Sequence, residues 1–324
     1  MIKVAVTEME YDKAEGIFSS AEGLECLPAP AVEDELAEAI RASGVQHVVV
    51  GVRKYTGALY QALPKGGVIA RFGVGHDSID KAQATEAGLL CTNTPNVLND
   101  SVAEHTLALM MAGARWIPAM AKDAKVGVWV SRLGVELRKK RLAIIGCGPI
   151  GCHVGRMAAF GFGMHVVGCE TRDVDLGYLG FEEVHKEFDQ AVAGADFVSL
   201  HLPSTPATHH FLNEERLGLI PEKAWLINTA RGAVVDERAL YDALNEGRLA
   251  GAALDVFEHE PYTPVALDKD LRTLKNVIMT PHVASSTQEA CDRMGMRALA
   301  NIRLAEERKY DQMDLLNPDV VASL

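Results

Sequence analysis

Gly146-Cys147-Gly148-Pro149-Ile150-Gly151 constrains this chain more than any other stretch. Such a G-x-G-x-x-G run means little alone. Here it follows the apolar run Leu142-Ala143-Ile144-Ile145 and opens a helical pattern over 150–160. The next strand pattern ends at Glu170, nineteen residues past Gly151. In such a unit the first glycine makes the tight turn, the second lets backbone approach a pyrophosphate, and the third lets helix and strand pack closely. The helix N-terminus adds N–H donors and partial positive charge. Glu170 is placed to accept from ribose hydroxyls, and its charge opposes a 2′-phosphate, although Arg172 lies two residues on. A dinucleotide site on Gly146, Gly148, Pro149, Ile150, Gly151 and Glu170 is therefore expected, with NAD preferred over NADP.

Length and charge narrow the setting. At 324 residues, 48% hydrophobic and 23% charged, the chain has the composition of a globular protein with room for two domains. A net charge of −12 argues against a broad grip on nucleic acid or anionic membrane. Apolar runs fall short of a span of about 20 residues. The opening Met1-Ile2-Lys3-Val4-Ala5-Val6-Thr7 reads as a first strand rather than a signal-peptide core. Six scattered cysteines without a Cys-x-x-Cys pair point to a reducing cytoplasm rather than a disulfide framework or zinc site. His209-His210 lacks a carboxylate or thiol at ligand spacing and reads as a solvated loop, so no metal is expected.

Strand patterns at 2–6, 48–52 and 68–72 alternate with helical patterns at 33–41 and 79–87. After the break Asn93-Thr94-Pro95-Asn96, a long helix over 102–114 is capped by Asn99, Asp100 or Ser101. A second series has strands at 142–145, 165–168, 197–200, 225–228, 252–256 and 277–279, and a helix at 237–245 behind an Asp236 cap. Strands alternating with helices predict parallel sheets covered on both faces. The helical pattern at 289–307 returns after the second sheet is finished, so it can pack on either domain. The basic run Arg138-Lys139-Lys140-Arg141 lies at the wrong end of its strand for phosphate and reads as a solvated face.

Ligands of doubly wound sheets bind beyond the carboxyl ends of the strands. Arg231 follows 225–228, Asp255 ends 252–256 with Glu260 five residues on, and His282 follows 277–279. An arginine fork grips a carboxylate and polarises a neighbouring carbonyl. A histidine donates a proton to a developing alkoxide and recovers it in reverse, and a carboxylate partner favours its imidazolium form. With a nicotinamide as hydride source, that set needs no metal.

The run from Arg71 to Asp80, Asn93-Thr94-Pro95 through Ala103-Glu104, the glycine loop, Ser199-Leu200-His201-Leu202-Pro203, and the segments 228–236, 255–261 and 280–286 form one set. With that set the sequence resembles the D-isomer-specific 2-hydroxyacid dehydrogenase family. These motifs stand in family order from about residue 70 to 290; the first seventy residues match only in pattern. Lys139 stands where the family usually has glycine, and Glu170 where aspartate is commoner.

The resemblance implies Arg231 as the substrate arginine, His282 as acid/base and Glu260 as its carboxylate partner. The backbone N–H groups of Val74 and Gly75 would hold the substrate carboxylate. Asp255 would contact the nicotinamide carboxamide, with Thr229 and Ala230 nearby and Pro203 also at the cofactor. Glu258 and His259 are decoys by family position. His76, His105 and His201 are assigned packing or hydrogen-bond roles, and Arg53 and Lys54 are as readily surface residues as substrate ones. The implied architecture is α/β: two doubly wound parallel-sheet domains, a Rossmann dinucleotide-binding domain (99–285) inserted into a flavodoxin-like substrate domain (1–98 and 286–324). Dimerisation through the helical region after residue 100 is expected, giving a homodimer. The leading function is reversible reduction of a small 2-oxo acid, such as glyoxylate or hydroxypyruvate, to the D-2-hydroxy acid. Formate or phosphite oxidation on the same fold is an alternative, with Glu260 arguing against formate. An NAD-sensing corepressor is another.

Overall fold

Short β-branched and aliphatic runs have nowhere to go in water but against one another, and they build two all-parallel sheets. The computed structural model describes residues 1–324, which fall into two units: Met1–Leu98 with Ser285–Leu324, and Asn99–Ala284.

The first unit carries β1 (Ile2–Thr7), β2 (Leu24–Ala29), β3 (His47–Val50), β4 (Val68–Arg71) and β5 (Leu90–Thr92) in the order β2-β1-β3-β4-β5. β3 and β4 are buried at every residue, as central strands of a two-sided sheet must be. The Glu33–Ser43 helix packs Leu36, Ala37 and Ile40 inward and stops at Gly44, whose φ of 64° is a left-handed C-cap. The helical pattern at 79–87 starts later than expected, as Lys81–Glu86, because Asp80 caps it by accepting from the Gln83 amide at 3.0 Å.

The returning helix, Gln288–Glu306, belongs to this unit. Arg293 Nε donates to the Val97 carbonyl at 2.7 Å, and Asn301 Nδ2 donates to that of Asn93 at 3.3 Å. Beyond the helix, buried Asn317 stitches the tail to the last strand. Its Oδ1 accepts from the Cys91 amide at 2.8 Å, and its Nδ2 donates to the Leu89 carbonyl and the Thr85 hydroxyl, both at 2.9 Å.

The second unit carries β6 (Arg141–Ile145), β7 (His165–Cys169), β8 (Phe181–His185), β9 (Phe197–Leu200), β10 (Trp225–Asn228), β11 (Gly251–Leu254) and β12 (Val277–Met279). The order β12-β11-β10-β9-β6-β7-β8 reverses direction between β6 and β9, a topological switch point where crevices open. Both faces of β6 are core: Leu142 and Ile144 join one apolar cluster, Ala143 and Ile145 the other. That is why these strands read as unbroken apolar runs instead of alternating ones. Lys139 adopts φ 62°, the left-handed conformation that glycine meets without penalty. The basic run is indeed at the surface end of its strand, where Lys140 pairs with Asp196 at 3.0 Å and Arg141 with Glu183 at 3.4 Å. The beginning and end of this unit are tied together by Ser101 Oγ, which donates to the Ala284 carbonyl at 2.8 Å. No helix is long and apolar enough to cross a membrane.

Replacing Asn317 by Ala strips partners from a buried amide and a buried carbonyl. The expected loss is about 2–3 kcal/mol of stability, read as a lower urea midpoint at unchanged slope. An unchanged midpoint would mean that the tail does not stabilise the N-terminal sheet.

Candidate active site

The glycine loop leaves β6 and enters the Pro149–Phe162 helix. Gly146 has φ 94°, and a Cβ there would lie 2.8 Å from the His201 carbonyl oxygen. A Cβ on Gly151 would stand 2.2 Å from the Gly146 carbonyl oxygen, so helix and turn meet closer than any side chain allows. Gly148, the N-cap, has open space where its Cβ would be, and no side chain caps the helix. Pro149 at the helix start is exposed and Ile150 half-buried. The loop therefore suits a pyrophosphate: tight at both ends, bare in the middle, with helix N–H groups behind it.

Glu170 is the first residue after β7. Its carboxylate accepts from Arg172 Nη2 at 2.8 Å and from the Arg172 amide at 3.2 Å. The Arg172 side-chain bond leads in holding its carboxyl down to about 2, against the opposing effect of burial. Arg172 thus serves the acid and is not an independent cationic site; its guanidinium also reaches the Cys147 carbonyl at 3.4 Å.

The remaining residues follow β10, β11 and β12, at the same carboxyl-end edge of the sheet. β10, β11 and β12 lie side by side with Asn228, Leu254 and Met279 in register, so the segments that follow them start level. After β10, Asn228 shapes the turn: its Oδ1 accepts from the Ala230 amide and its Nδ2 donates to the Arg231 carbonyl, both at 3.0 Å. Thr229 hydrogen-bonds Thr106 at 2.8 Å. Arg231 is half-buried, with Nη1 donating to the Ala230 carbonyl at 2.7 Å. A Cβ on Gly232 would fall 1.9 Å from the Phe257 carbonyl carbon, so the Arg231 loop lies directly on the loop after β11.

Asp255 is fully buried. Expected at the nicotinamide, it has both oxygens engaged within the chain. Oδ1 accepts from the Thr280 hydroxyl at 2.6 Å and the Val283 amide at 2.9 Å, and Oδ2 from the Ala284 amide at 2.8 Å. His105 Nε2 stands 3.5 Å from Oδ1 and 3.2 Å from the Thr280 hydroxyl. Burial pushes the Asp255 carboxyl up; the bonds from His105, Thr280 and the two amides outweigh it and leave the group below the ordinary range.

These bonds fold the segment that carries His282, whose φ is 53° and whose amide donates to the Asp255 carbonyl at 2.8 Å. His282 Nδ1 lies 2.6 Å from Glu260 Oε2, while Glu260 Oε1 accepts from the Phe257 amide at 3.0 Å. Glu258, the decoy, points elsewhere, to His210 at 3.0 Å.

The second unit thus brings the glycine loop, Glu170, Thr229, Ala230, Arg231, Asp255, Glu260 and His282 to one edge of its sheet. Pro203, exposed after β9, accepts from the Thr208 hydroxyl at 2.6 Å through its carbonyl. Val74 and Gly75 lie in the first unit, half-buried after β4, with the Val74 carbonyl accepting from Asn93 Nδ2 at 2.7 Å. Sequence reasoning missed Thr280 and the orientation of His105. They are 175 residues apart in the chain, and no local pattern announces such a partner.

Residues 107–284 match the family model described as D-isomer specific 2-hydroxyacid dehydrogenase, NAD binding domain. The chain belongs to that family. It is an NAD(P)-dependent oxidoreductase, and its two parallel-sheet units, one of them a Rossmann domain, are the fold expected from the sequence. A glyoxylate reductase of Korarchaeum cryptofilum is 38% identical over 276 residues, covering 81% of this chain and 80% of that protein. A D-3-phosphoglycerate dehydrogenase of Methanocaldococcus jannaschii is 39% identical over 295 residues, 90% of this chain but 55% of that longer protein. Among solved structures, a D-lactate dehydrogenase of Aquifex aeolicus complexed with NAD and lactic acid superposes with a TM-score of 0.82 at 29% identity, covering 97% of this chain and 99% of that one. An NADPH-dependent glyoxylate/hydroxypyruvate reductase of Sinorhizobium meliloti gives 0.79 at 29% identity, covering 94% and 93%.

Asp255→Asn would set an amide NH2 against donor N–H groups. A depressed carboxyl contributes stability that is present above its unfolded value of about 4 and is lost as pH falls through the folded pKa. The variant is expected to lose about 2–4 kcal/mol at pH 7, with the gap to wild type narrowing below pH ~4. Urea melts across that range check the sign.

Proposed function

We propose that the protein reduces a small 2-oxo acid of the glyoxylate or hydroxypyruvate kind to its D-2-hydroxy acid, reversibly and with NADH. The observation that carries this reading is the His282–Glu260 pair at 2.6 Å on the sheet edge that also bears Arg231. Relatives named glyoxylate reductase and hydroxypyruvate reductase support the substrate class and speak against formate, phosphite or a purely regulatory role.

When bound, the nicotinamide supplies or takes up the hydride. Arg231 binds the substrate carboxylate and polarises the carbonyl oxygen, lowering the cost of charge that develops there. Glu260 accepts from Nδ1 and so holds the ring in the form that presents Nε2 to that oxygen. His282 gives its proton to the alkoxide in reduction and takes it back in oxidation. Asp255, by folding the Thr280–Ala284 segment, aims His282. The Val74 and Gly75 amides are assigned to the substrate carboxylate on the family resemblance alone. Glu170, ionised across the working range, supports NADH over NADPH because a 2′-phosphate would meet a fixed negative charge.

The protein is further assigned to the cytoplasm, as its six free thiols suggest, and to a homodimer. The Ile117–Lys125 helix and the segment after it expose Val126, Val130 and, at 94% and 96%, Trp129 and Leu133. Large apolar side chains so exposed within one short segment are the kind that a second copy covers.

Initial rates with a panel of 2-oxo acids, NADH and NADPH side by side, test the chemistry. NADH-dependent turnover of a short 2-oxo acid is expected. Arg231→Ala should lower kcat/KM by about 10²–10³-fold while NADH still binds, as followed by its fluorescence; a wild-type rate in that variant would remove Arg231 from its role. The assembly is tested by light scattering, where wild type is expected as a dimer and the double variant Trp129→Ser, Leu133→Ser as a monomer. A monomeric wild type sinks the dimer.

A further inference from the structure

Three residues left out of the chemistry form one network beneath it. Glu237 opens the Glu237–Asn245 helix behind its Asp236 cap and is 3% exposed. Glu237 and Glu258 exchange hydrogen bonds reciprocally: the Glu258 amide donates to Glu237 Oε1 at 2.6 Å, and the Glu237 amide to Glu258 Oε1 at 2.9 Å. Glu258 Oε2 pairs with His210 Nε2 at 3.0 Å. His210 is itself zipped to the segment after Arg231, its amide donating to the Ala233 carbonyl at 2.8 Å.

The consequence is mechanical. The loop bearing Glu260 is attached through Glu258 to the first turn of the helix that follows Arg231. With backbone packed on backbone at Gly232, a shift of one loop presses on the other. Glu237 Oε2, meanwhile, is buried with no hydrogen-bond partner, a costly place for a full negative charge.

We propose that Glu237 is a positioning residue for the Arg231–Glu260–His282 group: neutral, it holds the Glu260 loop against the Arg231 loop through Glu258, and charged, it repels the Glu258 and Glu260 carboxylates by more than the stronger Glu258 amide bond restores, loosening that hold. The role rests on the reaction assigned above.

The groups facing Glu237 are Glu258 and Glu260 on the adjoining loop, His210 on the segment before β10, its own cap Asp236, and Tyr262. Burial first, then the neighbouring Glu258 and Glu260 charges, push its carboxyl up to about 7, against the Glu258 amide and His210. For an acid raised above its unfolded value, folding favours the protonated form. The hold is complete below pH ~4 and is lost as pH rises through about 7.

His282 alone gives pH limbs that reverse with direction, since it must carry a proton in reduction and lack one in oxidation. Glu237 gives the same alkaline loss in both. The test is therefore oxidation of the D-2-hydroxy acid across pH 6–8 by wild type and Glu237→Gln, which keeps the acceptor for the Glu258 amide and cannot ionise. The ratio of variant to wild-type kcat/KM is expected to rise about ten-fold from pH 6 to pH 8; a flat ratio overturns the proposal. Glu258→Gln removes a neighbouring charge, and the wild-type inflection should move to lower pH. Should wild type turn over no 2-hydroxy acid, the assigned reaction fails, and NMR titration of the His282 ring still decides the coupling. A step in the His282 ring signals that follows Glu237 ionisation, in addition to the ring's own, present in wild type and absent from Glu237→Gln, supports it; identical titrations overturn it.

Discussion

One buried carboxylate organises the reactive edge of this protein. Asp255 accepts hydrogen bonds from a hydroxyl and two amides of the segment after β12 and faces the ring of His105. A charge so deep is tolerable only when its lone pairs are filled by well-aimed donors. Filling them leaves the Thr280–Ala284 backbone little freedom. His282 is carried into a left-handed conformation uncommon among non-glycine residues, and from there its ring reaches Glu260. The His282–Glu260 contact is thus a consequence of how a neighbouring anion is satisfied.

The same economy governs the cofactor end. Gly146 and Gly151 are required by contacts that any Cβ would violate, whereas Gly148 is bare toward open space. Two of the glycines are required by the fold's own contacts, and the third leaves its side open. Glu170 is held ionised by Arg172, so the arginine two residues on is engaged in fixing the charge of the acid.

Legibility in the sequence followed burial. Strands buried on both faces, such as Trp225–Asn228, were plain because every residue is apolar or strand-ending. β2 was missed: Leu24-Glu25-Cys26-Leu27-Pro28-Ala29 is a half-exposed edge strand with a proline and no β-branched residue. β5 has three residues, too few to show a period. β8, Phe181–His185, is a polar edge beside a register shift. Within the site, Arg231, Glu260 and His282 stood out because each follows a recognisable strand. Glu237, Glu258 and His210 did not. Their meaning lies in reciprocal bonds between segments distant in the chain, and in isolation they read as a helix start, a decoy and a wet loop.

The split of the first unit into 1–98 and 285–324 also orders events during synthesis. Residues 99–284 leave the ribosome as one unbroken stretch containing all seven strands of their sheet, and Ser101 and Ala284 can close the ends. The first sheet, by contrast, waits for the helix that covers it and for Asn317 to hold β5. Nascent β1 to β5 therefore pass through most of translation with part of their apolar surface uncovered, the condition that invites chaperones. The inserted stretch holds its whole sheet before residues 285–324 are made, whereas its host waits for them.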